Sequence, residues 1–272
     1  MKYSTYYHTS FRYFNEIDEV ILKYNTEEHK NKLIEYMQTK VEDNLRIVIA
    51  AEQLEELIDK DFEVFAAVKE IHPNFAVRID FKHKEYINKL REDEIPFFFD
   101  VFVDSWDELN GFIAAGVSDV YIVNEFAFDM VRIADKCHKN NVKVRAIPNV
   151  AQSSNKLNNA STLSSFYIRP EDISIYEGLI DICEFFGPID RSSVLYKIYT
   201  SERWLGNLKE LIIGFKEDVP NTGIVNYFGT RRKDCKKRCA IDNSCKICTL
   251  VTDFSKTLTE NNLYVEKIND KE

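Results

Sequence analysis

Residues Pro96–Asn149 read PFFFDVFVDSWDELNGFIAAGVSDVYIVNEFAFDMVRIADKCHKNNVKVRAIPN. Three short apolar runs, PFFFDVFV, DVYIVNE and KVRAIPN, alternate with two amphipathic segments, SWDELNGFIAAG and FAFDMVRIADKCHKNN. The runs have strand length and the segments have helical spacing. Ser105 stands where an N-cap oxygen is wanted, and Gly116 where a left-handed C-cap is wanted. Strands separated by single helices pair in parallel, because each crossover returns the chain to the same end of the sheet.

Outward from this stretch the rhythm continues. Towards the N-terminus, Glu19–Tyr24, Leu45–Ala51 and Phe75–Phe81 read as strands. Between them lie the helical TEEHKNKLIEYMQTKV, EQLEELIDKDFEVFAAVKEIH and KEYINKLREDE. Towards the C-terminus, Ser165–Arg169 and Asp181–Phe186 read as strands around PEDISIYEGL, and a helical stretch spans roughly Ser192 to Phe215. Eight strand–helix repeats predict an α/β fold, a (β/α)8 TIM-type barrel. A doubly wound open sheet with a glycine-rich first turn is disfavoured, since the chain has only 8 glycines and no GxGxxG. The expected organisation is a barrel over residues 1–218, a basic four-cysteine metal-binding segment over 219–255 packed on it, and a tail over 256–272.

The chain has 272 residues, 44% hydrophobic and 30% charged, with a formal net charge of −9. That is enough apolar content and length to form a core without disulfides. An acidic total argues against general nucleic-acid binding. The charge is uneven, however. Gly229–Cys248 holds seven lysines and arginines against two aspartates, a basic patch on an acidic body. The first residues lack an apolar leader and no apolar run is long enough to span a bilayer, so no membrane partner and a cytoplasmic location are expected.

In a barrel, functional residues gather at the C-terminal ends of the strands and in the loops that follow. Those positions are Asn25, Glu52, Asp80 with Lys82, Asp104, Glu125, Asn149, Arg169 and Glu184. Arg78, Asp100 and Arg145 fall within strands and can point inward. The catalytic candidates are Glu184, Arg169, Arg145 and Asp80: guanidinium forks for a carboxylate or phosphate, carboxylates for proton transfer. The same groups also suit an internal ion-pair network that only satisfies buried charge. The long polar loop Val150–Ser164 is a candidate lid. The five histidines form no HExxH motif and no grouping with serine and aspartate, which disfavours an ordinary hydrolytic triad.

Four of the six cysteines, Cys235, Cys239, Cys245 and Cys248, fall in CKKRCAIDNSCKIC. Four thiolates can saturate a tetrahedral Zn2+ or hold an iron–sulfur (4Fe-4S) cluster, and the intervening lysines and arginines favour the thiolate form. Spacing leaves zinc and iron–sulfur both open. Cys137 and Cys183, on a helix and a strand, read as buried small hydrophobes.

AAGVSDVYIVNEFAF, NVKVRAIPNV and IRPEDISIYEGLIDICEFFG resemble, in order, segments of the peptidase U32 family, over roughly Phe97 to Gly187. The resemblance implies a barrel carrying a four-cysteine iron–sulfur cluster. Members of that family support hydroxylation of RNA bases or of a quinone precursor, and others are described as peptidases. Glu184, Phe186 and Gly187 match its signature in part, while PIDRSSV stands where the family has a cysteine.

Two functions are therefore expected. One is a U32-like enzyme that modifies or hydroxylates an RNA base or small aromatic substrate at the barrel mouth, with redox modification favoured over proteolysis. The other is a non-catalytic, zinc-stabilised barrel that binds nucleic acid or protein through the basic segment 231–238.

Overall fold

Strand-forming runs dominate the structure, a computed structural model that describes residues 1–6, 16–24, 45–51, 69–70, 74–103, 105–122, 130–151, 167–187 and 191–215. By internal packing the chain divides into two units. The first comprises Met1–Ile122, Met130–Ala146 and Gly178–Tyr196; the second comprises Val123–Asp129, Ile147–Glu177 and Lys197–Glu272.

The first unit holds nine strands: β1 (Lys2–Tyr6), β2 (Glu19–Tyr24), β3 (Arg46–Ala51), β4 (Phe75–Ile79), β5 (Phe97–Phe99), β6 (Phe102–Val103), β7 (Asp119–Ile122), β8 (Lys143–Ala146) and β9 (Ile182–Glu184). All pair in parallel, in the order β5-β4-β3-β2-β1-β9-β8-β7-β6. An all-parallel sheet follows from the helical crossovers legible in the sequence.

After β4 a 3-10 turn, Phe81–Tyr86, runs into α1 (Ile87–Glu92). α2 (Trp106–Ala115) is capped as expected: Ser105 Oγ accepts from the Glu108 amide, and Gly116 closes the helix at φ 78°. α3 (Met130–Lys139) buries Met130, Ile133, Ala134 and Cys137 on one face. α4 (Ser192–Thr200) runs from this unit into the second. The second unit contains a 3-10 turn at Pro170–Tyr176 and the short α5 (Leu208–Leu211). Tyr199 donates its hydroxyl to the Ile168 carbonyl at 2.8 Å, and Tyr167 meets Phe215 edge-on, which ties that unit together.

The structure departs from the expected strands in three places. β1, Lys2–Tyr6, was not among them; it pairs with both β2 and β9. Tyr167–Arg169, expected to end a seventh strand, lies outside any strand and leads into the 3-10 turn. The run Pro96–Val103 makes two short strands broken at Asp100 and Val101, β5 pairing with β4 and β6 with β7. The sheet is thus an α/β curl of nine parallel strands. The expected helices at Thr26–Val41 and Glu52–His72 lie outside the described residues apart from Lys69 and Glu70, as do the loop beyond Ala151 and the four-cysteine segment.

Strand alternation separates the two faces of the sheet. Val20, Ile47, Ile49, Val77, Ile79, Phe97, Phe99, Val120, Val144 and Cys183 share one face, and all are buried. Phe99 packs on Phe112 of α2 with ring centroids 4.9 Å apart. Burying each such side chain is worth about 1.5–3 kcal/mol, so this helix-covered face is the main apolar core. The other face carries every charged residue of the nine strands.

Candidate functional site

Register places Lys2, Lys23, Arg46, Arg78, Lys143 and Arg145 on the polar face with Glu19, Asp119 and Glu184. Arg46 on β3 lies five strands from Asp119 on β7, about 24 Å in a flat sheet. Yet Arg46 Nη1 meets Asp119 Oδ2 at 2.5 Å. The sheet is therefore curled with its charged face inward.

The N-terminal end of this face is a closed network. Glu19, Arg46 and Asp119 open their strands, and each is buried. Glu19 accepts from Ser4 Oγ at 2.6 Å, from Arg46 Nη1 at 3.1 Å and from Arg145 Nη1 and Nη2 at 3.0 and 2.5 Å. Asp119 takes a second bond from Arg46 at 2.9 Å and one from Arg145 at 2.8 Å. Burial pushes both carboxyls up, but the adjacent guanidinium groups of Arg145 and Arg46 outweigh it and hold both below the usual range. Arg145 has no exposed side-chain surface and lies 4.7 Å from the ring centroid of Phe98 and 5.3 Å from that of Tyr121.

At the C-terminal end, Glu184 closes β9 and receives Arg145 Nη2 at 3.0 Å, Arg78 Nη1 at 3.0 Å and the Tyr121 hydroxyl at 2.5 Å. Arg78 also donates to the Tyr6 hydroxyl at 2.6 Å. Burial works against the Arg78 charge, but Glu184 outweighs it and the cation is strengthened. Burial, with Glu184 nearby, pushes the Tyr121 phenol up, so it remains a hydrogen-bond donor. Unlike Arg145, Arg78 keeps 14% of its side chain exposed.

Of the four catalytic candidates, the structure brings Arg145 and Glu184 together. Arg145 is enclosed by Glu19, Asp119 and Glu184, an arrangement suited to holding the strands. Arg169 belongs to the second unit, where Nε and Nη2 donate to Asp172 at 2.6 and 2.9 Å. Asp80 caps the 3-10 turn, accepting from the Lys82 amide at 2.9 Å and pairing with Lys82 Nζ; those contacts lower its pKa. Asn149 is also in the second unit, its carbonyl accepting from the Ile213 amide. Asn25, Glu52, Asp104, Glu125 and the cysteines Cys235, Cys239, Cys245 and Cys248 lie outside the described residues. Among the described residues no group of three or more histidines, cysteines or acids could hold a metal ion. Cys137 and Cys183 are buried as expected, and desolvation pushes each thiol up to about 12.

Sequence reasoning overlooked Glu19, Arg46, Asp119, Tyr121 and Tyr6. A signal existed for the first three: each is a charged residue at the first position of a largely apolar strand, where alternation aims it away from the helices.

Among the described residues no helix is long and apolar enough to cross a membrane. No family model matches the chain. A protein of Methanocaldococcus jannaschii named "Uncharacterized protease" is 34% identical over 95 residues, which span 31% of this chain and 27% of that protein. A crystal structure of a conserved Enterococcus faecalis protein with an unknown function aligns over 70% of this chain and 62% of its own, at 8% identity and a TM-score of 0.38.

Proposed function

We propose that the chain is a peptidase U32-like barrel enzyme that takes its substrate at the C-terminal strand ends, in front of Arg78. In this reading Cys235, Cys239, Cys245 and Cys248 hold an iron–sulfur cluster or zinc. The observation that carries it is the set Arg78, Glu184, Tyr121 and Tyr6: a cation with exposed surface, oriented by three neighbours, at the end of the strands where this architecture does its chemistry. The barrel reading draws support from β5 and β6, the two edges of the sheet order, which are consecutive in the chain. It draws more from the Phe97 carbonyl, which accepts from the Ser118 amide and hydroxyl at 2.7 and 3.1 Å. The partial archaeal relative, named as a protease, is consistent with a U32-like origin.

Within the site, Arg78 binds and orients substrate. Glu184 is a positioning residue: fully buried and accepting from three donors, it aims Arg78 rather than activating water. That favours modification of an RNA base or small aromatic substrate over peptide hydrolysis. Four thiolates fit iron–sulfur or zinc as a donor set. A bound cluster supplies electron transfer, and a bound zinc supplies a structural clamp.

The alternative, a non-catalytic zinc-stabilised barrel binding nucleic acid or protein through residues 231–238, is favoured by the buried N-terminal network, in which arginines and carboxylates pair with one another. Purification without oxygen, with a visible spectrum and iron, sulfide and zinc assays, separates the two. A brown protein with matched iron and sulfide, bleached by Cys245→Ser, is expected for the enzyme. A colourless protein holding zinc contradicts the redox reading and directs attention to the basic segment.

A further inference from the structure

The polar face holds six cations against three carboxylates, although the chain as a whole carries −9. At its C-terminal end two of those cations, Lys23 and Arg78, stand with Glu184. Lys23 and Arg78 stand in one row, each paired in register with Ala50, so their Cα atoms are about 10 Å apart. Both head groups lie beside Tyr6: Lys23 Nζ is 5.6 Å and Arg78 Cζ 5.3 Å from its ring centroid. The Arg78 fork is fixed by Glu184 and Tyr6, so little entropy is lost when it binds. Lys23 and part of Arg78 are exposed, whereas Glu184 is fully buried.

Among the described residues, two acids flank the row. Asp80 is tied to Lys82. Asp100 is exposed in the break between β5 and β6; burial of part of its carboxyl and the Asp80 charge raise its pKa, and Arg78 acts on it in the opposite sense.

We infer that Lys23 and Arg78, both beside Tyr6, form a docking point for one anionic group, phosphate or carboxylate, of the ligand. The inference rests on the proposed substrate end of the strands, not on the cysteine-bound group. A two-cation clamp of this kind takes up a tetrahedral or planar oxyanion by charge-assisted hydrogen bonds, with the lysine as a mobile point charge and the arginine as a fixed fork. Asp100 competes with the bound anion for Arg78.

The test is a titration of the full chain at pH 7 with inorganic phosphate and, separately, benzoate, followed by nuclear magnetic resonance. The expected result is binding of at least one probe, with the stronger naming the anion. Lys23→Ala should weaken it about tenfold, the worth of one charge-assisted bond. Lys23→Arg should retain it, and Asp100→Asn should strengthen it. Both altered positions, Lys23 and Asp100, carry exposed side chains, so folding is preserved. Failure of both probes to bind, or affinities unchanged in both Lys23→Ala and Asp100→Asn, overturns the inference. Probe binding that persists in a metal-free chain upholds it even where the iron–sulfur reading fails.

Discussion

The two ends of the polar face use the same chemistry for different ends. At the N-terminal end Glu19, Arg46, Asp119 and Arg145 are buried and bonded to one another. At the C-terminal end Arg78 is held by a comparable set of partners but keeps exposed surface, and exposed Lys23 stands in its row. A buried ion pair adds little net stability over an apolar substitute of like shape, but losing one partner is costly. The closed end therefore fixes which strands face each other across the curl. The open end leaves Arg78 and Lys23 with exposed surface, where the proposal places a ligand.

Substitutions break this comparison in order of expected size. Arg145→Ala strands Glu19, Asp119 and Glu184 together without their shared counter-charge and should lower stability by about 3–5 kcal/mol in urea unfolding. Tyr121→Phe removes one donor from the buried Glu184 carboxylate and should cost about 2 kcal/mol, with the Arg78 position loosened. Ser105→Ala, remote from the polar face, deletes the α2 N-cap and should cost about 1 kcal/mol, a reference for ordinary local structure. Lys23→Ala should leave stability within about 0.5 kcal/mol while weakening anion binding.

Acid sharpens the same contrast. Glu19 and Asp119 have folded pKa values below their unfolded ones, so each contributes stability that is full above about pH 4 and is lost as pH falls through the lower folded values. Stability should therefore drop steeply in that acid range. Raising the ionic strength should weaken phosphate binding at the exposed Lys23 more than it weakens the buried network, read as a larger change in affinity than in urea midpoint.

Much of the fold was legible because most strands are short, largely apolar runs with one or two charged residues, bounded by polar turns. EVILKY and RIVIAA became strands with little change of bounds, and the α2 caps were set by Ser105 and Gly116. KYSTY was passed over because Lys2, Ser4 and Thr5 leave it little hydrophobic signal; it is a strand because β2 and β9 bond it on both edges. SFYIR carried the stronger local signal, yet Tyr167–Arg169 forms no ladder, since pairing depends on an available edge that propensity does not report. Of the site, Arg145 and Glu184 were legible from position and charge. Their division of labour was not, because exposure depends on partners more than 100 residues away, such as Glu184 for Arg78.

The most direct test compares urea unfolding of the wild type, Arg145→Ala and Lys23→Ala, each with and without inorganic phosphate. The account predicts that phosphate raises the wild-type midpoint, that Lys23→Ala matches the wild type without phosphate but gains less from it, and that Arg145→Ala starts far lower. Equal losses of stability in the two variants, or an undiminished phosphate gain in Lys23→Ala, would contradict the division between a closed end and an open one.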